Sequence, residues 1–228
     1  MNATVQYNSR KLKVDLSKPL DLSIPLRGDK SNVNAWYIDH PAIKPEVVDG
    51  KTISVEKGAS VNFNSINFNP HAHGTHTETV GHISEKDYSV NKNLNQFFFL
   101  AEVITVAPEK YIKDNIISKK QIQFALGNKK RDALVVRTMP NLKDKKSRHY
   151  SNTNWTYFEE DAIKLLVKKG IKHLLVDLPS IDREEDGGEL KSHKAFWNFN
   201  GKGKIRKDAT ITEMIYVPNK VKDGEYLL

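Results

Sequence analysis

Residues 71–82 read HAHGTHTETVGH, which sets His71, His73, His76 and His82 around one carboxylate, Glu78. Four of the eight histidines of the chain fall in this stretch, and no lysine or arginine interrupts them. Imidazoles so crowded repel one another once protonated, whereas a divalent cation holds them neutral and together. Residues two apart on an extended chain point the same way, so His76 and Glu78 can address a single ion. The sequence contains no cysteine, which excludes disulfides, thiolate ligands and a cysteine nucleophile. Any metal must therefore be held by imidazole, carboxylate or water, the donors that suit catalytic zinc and similar ions. Gly74-Thr75 adds a backbone that can turn tightly and a hydroxyl for hydrogen bonding behind the ligands.

The spacing is not the helical H-E-x-x-H of zinc proteases. There is no G-x-S-x-G elbow and no P-loop, and the GKGK at 201–204 lacks phosphate-loop spacing and reads as a turn. Far from the cluster, Glu213 alternates with apolar Ile211 and Ile215 on a strand-like stretch. A carboxylate on such a strand needs a partner, and a metal is one.

The elements that must carry these residues can be read from periodicity. Short alternating patterns at 14–17 and 20–24 suit strands, as do 52–55 and 61–68. The apolar runs at 97–106, 133–137 and 171–178 predict buried strands, and 210–217 one more. Residues 121–126 fit a short helix or a strand. Thr156-x-x-Glu159 reads as a capping box opening a helix whose apolar stripe ends at Gly170. A helix followed at once by a buried strand indicates an α/β layer, and the surplus of strands indicates a mixed sheet. Residues 26–50 are loop-like and carry Trp36-Tyr37, an aromatic pair that either covers a pocket or packs on its own domain.

At 228 residues, 38% of them apolar and 28% charged, the chain suits one domain with one sizeable core. No apolar run could span a bilayer, and the first twenty residues lack a secretory pattern, so no membrane partner and a cytoplasmic location are expected. The formal net charge of +8 raises the question of nucleic acid. The lysines are scattered and not interleaved with aromatics, so a solvated surface is expected and no nucleic-acid partner.

Taken together, His-Gly-Thr-His-Thr-Glu-Thr-Val-Gly-His resembles the H-x-G-T-H-x-D-x-P-x-H signature of the putative cyclase family, which includes bacterial kynurenine formamidase and isatin hydrolase. Residues 176–182, VDLPSID, are similar to that family's D-x-P-S-x-D strand end, and NKVKDGEY at 219–226 is similar to a later turn. His193 and Glu213 fall where the family has its later ligands. The resemblance implies a swivelling β/β/α fold with a mixed sheet, assembled as a homodimer or homotetramer. It also implies one or two ions, zinc or manganese, and hydrolysis of a small amide of formamide or lactam type by metal-activated water. Carried over by position, His76 and Glu78 would bind metal, Glu78 bridging if two ions are present, with His71 or else His73 as the third ligand. His193 and Glu213 complete a second site, and His82 is the general base. Asp177 and Ser180 either orient ligands or substrate or simply form an Asp-Leu-Pro-Ser turn, and Trp36, Tyr37, Phe97 and Trp197 are candidate pocket walls for which core packing is the preferred reading. Three departures stand out: Ala72 occupies the first histidine position between His71 and His73, Glu78 replaces an aspartate, and Val80 replaces a proline. The chain also stops soon after Glu213, where relatives often continue through another strand.

Overall fold

The computed structural model describes residues 1–199 and 201–228. Two apolar runs without polar alternation, Leu100–Val106 and Ala133–Thr138, must be buried on both faces, and they form adjacent parallel strands. The six-stranded sheet around them runs in the order Gly224–Leu227, Leu100–Val106, Ala133–Thr138, His173–Val176, Thr210–Glu213, His76–Glu78. The four inner strands are parallel and both edge strands are antiparallel, giving the mixed sheet that the sequence predicts.

Side-chain alternation divides the core into two layers. Ile104, Val106, Leu134, Val136, Leu174 and Val176 face the helices Lys119–Leu126, Glu160–Lys168 and Lys191–Trp197. Their neighbours Val103, Val135 and Leu175 face the other way, onto Ile215, Val217 and Val221.

Several local expectations are corrected. Residues 20–24 form no strand, because Asp21 accepts hydrogen bonds from the backbone and hydroxyl of Ser23 (2.8 and 2.7 Å), a local alternative to a ladder. The Thr156–Glu159 capping box does not form. Tyr157–Phe158 is drawn into parallel pairing with Ile116 and Ile117, and the helix starts only after Glu159. The capping box that does form is at Ser118 and Gln121, which makes 121–126 helical. Trp36 packs edge-to-face on Trp155 at 4.9 Å and Tyr37 donates to Glu184 at 2.8 Å, so this pair belongs to its own domain's packing. The last inner strand ends at Glu213, since Met214 adopts a left-handed φ of 53° and turns the chain away.

Candidate metal centre

Three pieces of chain converge at the edge of the sheet where His76–Glu78 pairs with Thr210–Glu213. In that antiparallel register His76 lies opposite Glu213 and Glu78 opposite Ile211. His76, Glu78 and Glu213 therefore project from one face and are buried, while Thr77 points out to solvent. Just upstream, Asn69 caps the short helical turn Pro70–His73 by accepting from the His71 backbone at 2.9 Å. Downstream, the turn Val80–Ile83 folds back and returns His82 to Glu78. The helix Lys191–Trp197 delivers His193 from the other end of the chain.

The donor atoms meet around Glu78. Its Oε2 lies 3.5 Å from His71 Nδ1 and 3.5 Å from His82 Nδ1, and its Oε1 lies 3.1 Å from His193 Nε2. Glu213 closes the ring, with Oε2 3.6 Å from His76 Nε2 and Oε1 3.6 Å from His193 Nε2. Among the described residues, two groups have the spacing to hold a metal ion, His71–His76–Glu78 and Glu78–His82–His193, each with ligand atoms within 4.8 Å of one another. Two buried polar atoms here, His76 Nε2 and Glu78 Oε2, have no hydrogen-bond partner. Such atoms are costly to bury unless something binds them, and a cation fits both.

All six residues expected at the site are thus brought together. His71 and His73 differ in hydrogen bonding: His73 Nδ1 accepts from the Asn69 backbone at 2.8 Å, and Nε2 lies 2.8 Å from the Asp39 carbonyl. With both nitrogens occupied by backbone, His73 is a buried brace. His71 keeps its ring free, stacked on His82 at 4.4 Å.

Burial and neighbouring charges set the protonation of these groups. Burial pushes the His82 imidazole down to about 4 and also lowers that of His76, so both are neutral at neutral pH. Burial would lower His193 too, but hydrogen bonds to Asp182 and Glu78 overcome it and raise the ring to about 10. For Glu78 burial acts upward, yet the hydrogen bond and charge of His193 hold the carboxyl below its ordinary value. Burial and the adjacent Glu78 charge raise Glu213 well above the ordinary carboxylate range. Without a metal, the proton on His193 offsets part of the buried carboxylate charge, a role that a bound ion would take over.

One contributor has no role in the sequence reading. Asp182 accepts from His193 Nδ1 at 2.6 Å and from the backbone of Ser192 and His193 at 2.8 and 3.1 Å. It orients the ring and caps a helix whose N-cap residue, Leu190, offers no side-chain bond. Its place at the end of VDLPSID was the available signal. Ser180 acts one step behind it, accepting from the Asp182 backbone at 3.1 Å. Asp177 does not reach the site and is corrected to a structural role, bound to buried Lys145 at 2.7 Å and to Thr138. Trp197 is a core residue lying 5.4 Å from the His193 ring, and Phe97 is exposed. The open side of the site is a cleft of about 410 Å³ lined instead by His71, His82, Lys86 and Tyr88.

No curated protein matches the chain. Among solved structures, a predicted metal-dependent hydrolase from Bacillus stearothermophilus aligns at 18% identity with a TM-score of 0.58, covering 91% of this chain and 86% of that one. An isatin hydrolase bound to the product analogue thioisatinate aligns at 16% identity and a TM-score of 0.60, covering 90% and 82%. Isatin hydrolase A from Ralstonia solanacearum aligns at 12% identity and 0.60, covering 90% and 81%. These likenesses establish the shared fold. The model of the family described as "Putative cyclase" matches residues 14–183, most of the sequence, and the chain belongs to that family.

Proposed function

We propose that this protein is a metal-dependent hydrolase that cleaves small amides of formamide or lactam type, carbon–nitrogen bonds other than peptide bonds. The observation that carries the reading is the pair of unpartnered buried atoms, His76 Nε2 and Glu78 Oε2, on two members of the group His71–His76–Glu78. His71, His76 and Glu78 would hold one ion, zinc or manganese, and Glu78 and His193 a second, joined by Glu213, whose Oε1 stands 3.6 Å from His193 Nε2, while His82 is kept for proton transfer. When bound, such an ion supplies a Lewis acid at the carbonyl oxygen and eases deprotonation of water.

The chain's own residues supply the rest. His82, unprotonated at neutral pH and on the solvent side of Glu78, takes the proton of the attacking water and passes it to the leaving nitrogen. Asp182 fixes the His193 ring through Nδ1, so that Nε2 is aimed at Glu78. The cleft beside His71 and His82, about 410 Å³, lies in the roughly 300–1,000 Å³ range of small-molecule sites. The test is a panel containing an aryl formamide, a five-membered lactam and the matching lactone. Turnover of the formamide or the lactam is expected, abolished by chelation and restored by zinc or manganese. Turnover indifferent to chelators would refute the reading, and bound metal without any turnover would make the protein a binding relative.

We also infer a homodimer or homotetramer. Val61, Phe63, Ile66 and Phe68 all lie exposed on the segment leading into the site, an apolar cluster that a second copy would cover. Light scattering that gives the mass of a monomer at micromolar concentration would remove that inference. No helix among the described residues is long and apolar enough to cross a membrane.

A further inference from the structure

We infer that Thr75 is a positioning residue that couples the two halves of the metal centre through its hydroxyl. The inference rests on the metal reading above. Thr75 immediately precedes His76, and its side chain points away from the ligands, where it bridges two other segments. Its Oγ1 accepts from the Ile24 backbone N–H at 2.9 Å and donates to the Met214 carbonyl at 2.5 Å.

Met214 is the residue that turns the chain directly after Glu213. It is buried with a left-handed φ of 53°, a conformation that a side chain such as methionine adopts only when held. Its N–H donates to the Leu178 carbonyl at 2.9 Å, and the next N–H, of Ile215, donates to Val176 at 3.1 Å. The Thr75 hydroxyl secures the remaining polar group of that turn. The same residue thus fixes the start of the strand bearing His76 and Glu78 and the turn that aims Glu213. The two strands are linked again at the site, where His76 Nε2 and Glu213 Oε2 stand 3.6 Å apart. A ligand set spread over distant segments binds an ion only as well as those segments are held in register.

The experiment compares wild type, Thr75→Val and Thr75→Ser by zinc titration against a competing chelator, with circular dichroism as the fold control. Thr75→Val keeps the side-chain shape and loses the hydroxyl, and it should bind zinc about 10- to 100-fold more weakly. Thr75→Ser should restore affinity to within about threefold of wild type, as it keeps both hydrogen bonds. Unchanged affinity in Thr75→Val overturns the inference while leaving the metal reading intact. A wild type that binds no zinc or manganese overturns both. Should Thr75→Val fail to fold, amide hydrogen exchange of the wild type decides: zinc is expected to slow exchange at Ile24 by about tenfold, through reciprocal coupling, and unchanged exchange overturns the inference.

Discussion

Glu78→Ala is expected to leave the protein without a stably bound divalent ion and to lower hydrolysis by about 10³-fold or more. Glu78 is the one residue common to both groups that could hold a metal. Its Oε2 lies toward His71 and His82 and its Oε1 toward His193. Removing the carboxylate therefore dismantles both groups, whereas removing His71 or His193 would damage one. Glu78→Gln isolates the charge from the volume. The amide keeps a neutral oxygen but cannot offset a dication in a buried site, and it should also fail to retain the ion. Metal analysis after dialysis, alongside turnover at saturating substrate, measures both effects. Glu78→Asp restores the acid that the family signature has at this position, and it should keep metal while shifting affinity.

The second large effect is expected at a residue that touches no ion. Asp182→Asn should weaken metal binding by about 10- to 100-fold, as loss of a carboxylate behind a histidine ligand does. Asp182 holds three hydrogens at once, His193 Nδ1–H and the backbone N–H groups of Ser192 and His193. An asparagine has one acceptor oxygen, and its amide would confront a donor. The cap of the helix Lys191–Trp197 is reduced with it, so stability should fall by about 1–3 kcal/mol, the cost of a buried hydrogen bond to a charged group left unmade. Chemical denaturation of the metal-free form separates the two effects, since any further deficit in the loaded form is the ligand contribution. Wild-type affinity in Asp182→Asn would show that His193 needs no orienting partner.

The parts of this site that repeat locally were legible in the sequence. His76 and Glu78 follow from two-residue spacing on a strand, and the central strands follow from apolar runs of β-branched residues. His71 and His73 could not be separated that way. What distinguishes them is a hydrogen bond from His73 to the carbonyl of Asp39, 34 residues away. Asp182 stayed without a role because its task depends on His193, which reaches it only once the helix from Lys191 has packed against the sheet. The misplaced helix start at Thr156 has a similar origin. Its capping pattern is sound locally, but pairing with Ile116 and Ile117 holds the same residues as a strand. Local propensity is a weak prior, and tertiary contacts overrode it there.

Locating the ion tests the account most directly. Crystals of the protein loaded with zinc or manganese, measured at the absorption edge of the metal, should show an anomalous peak bounded by His71, His76 and Glu78, with ligand distances of about 2.0–2.2 Å for zinc. A peak found instead at the outlying pair His40 and His149, whose rings lie 5.0 Å apart, or no peak at Glu78 in a fully loaded protein, would contradict it.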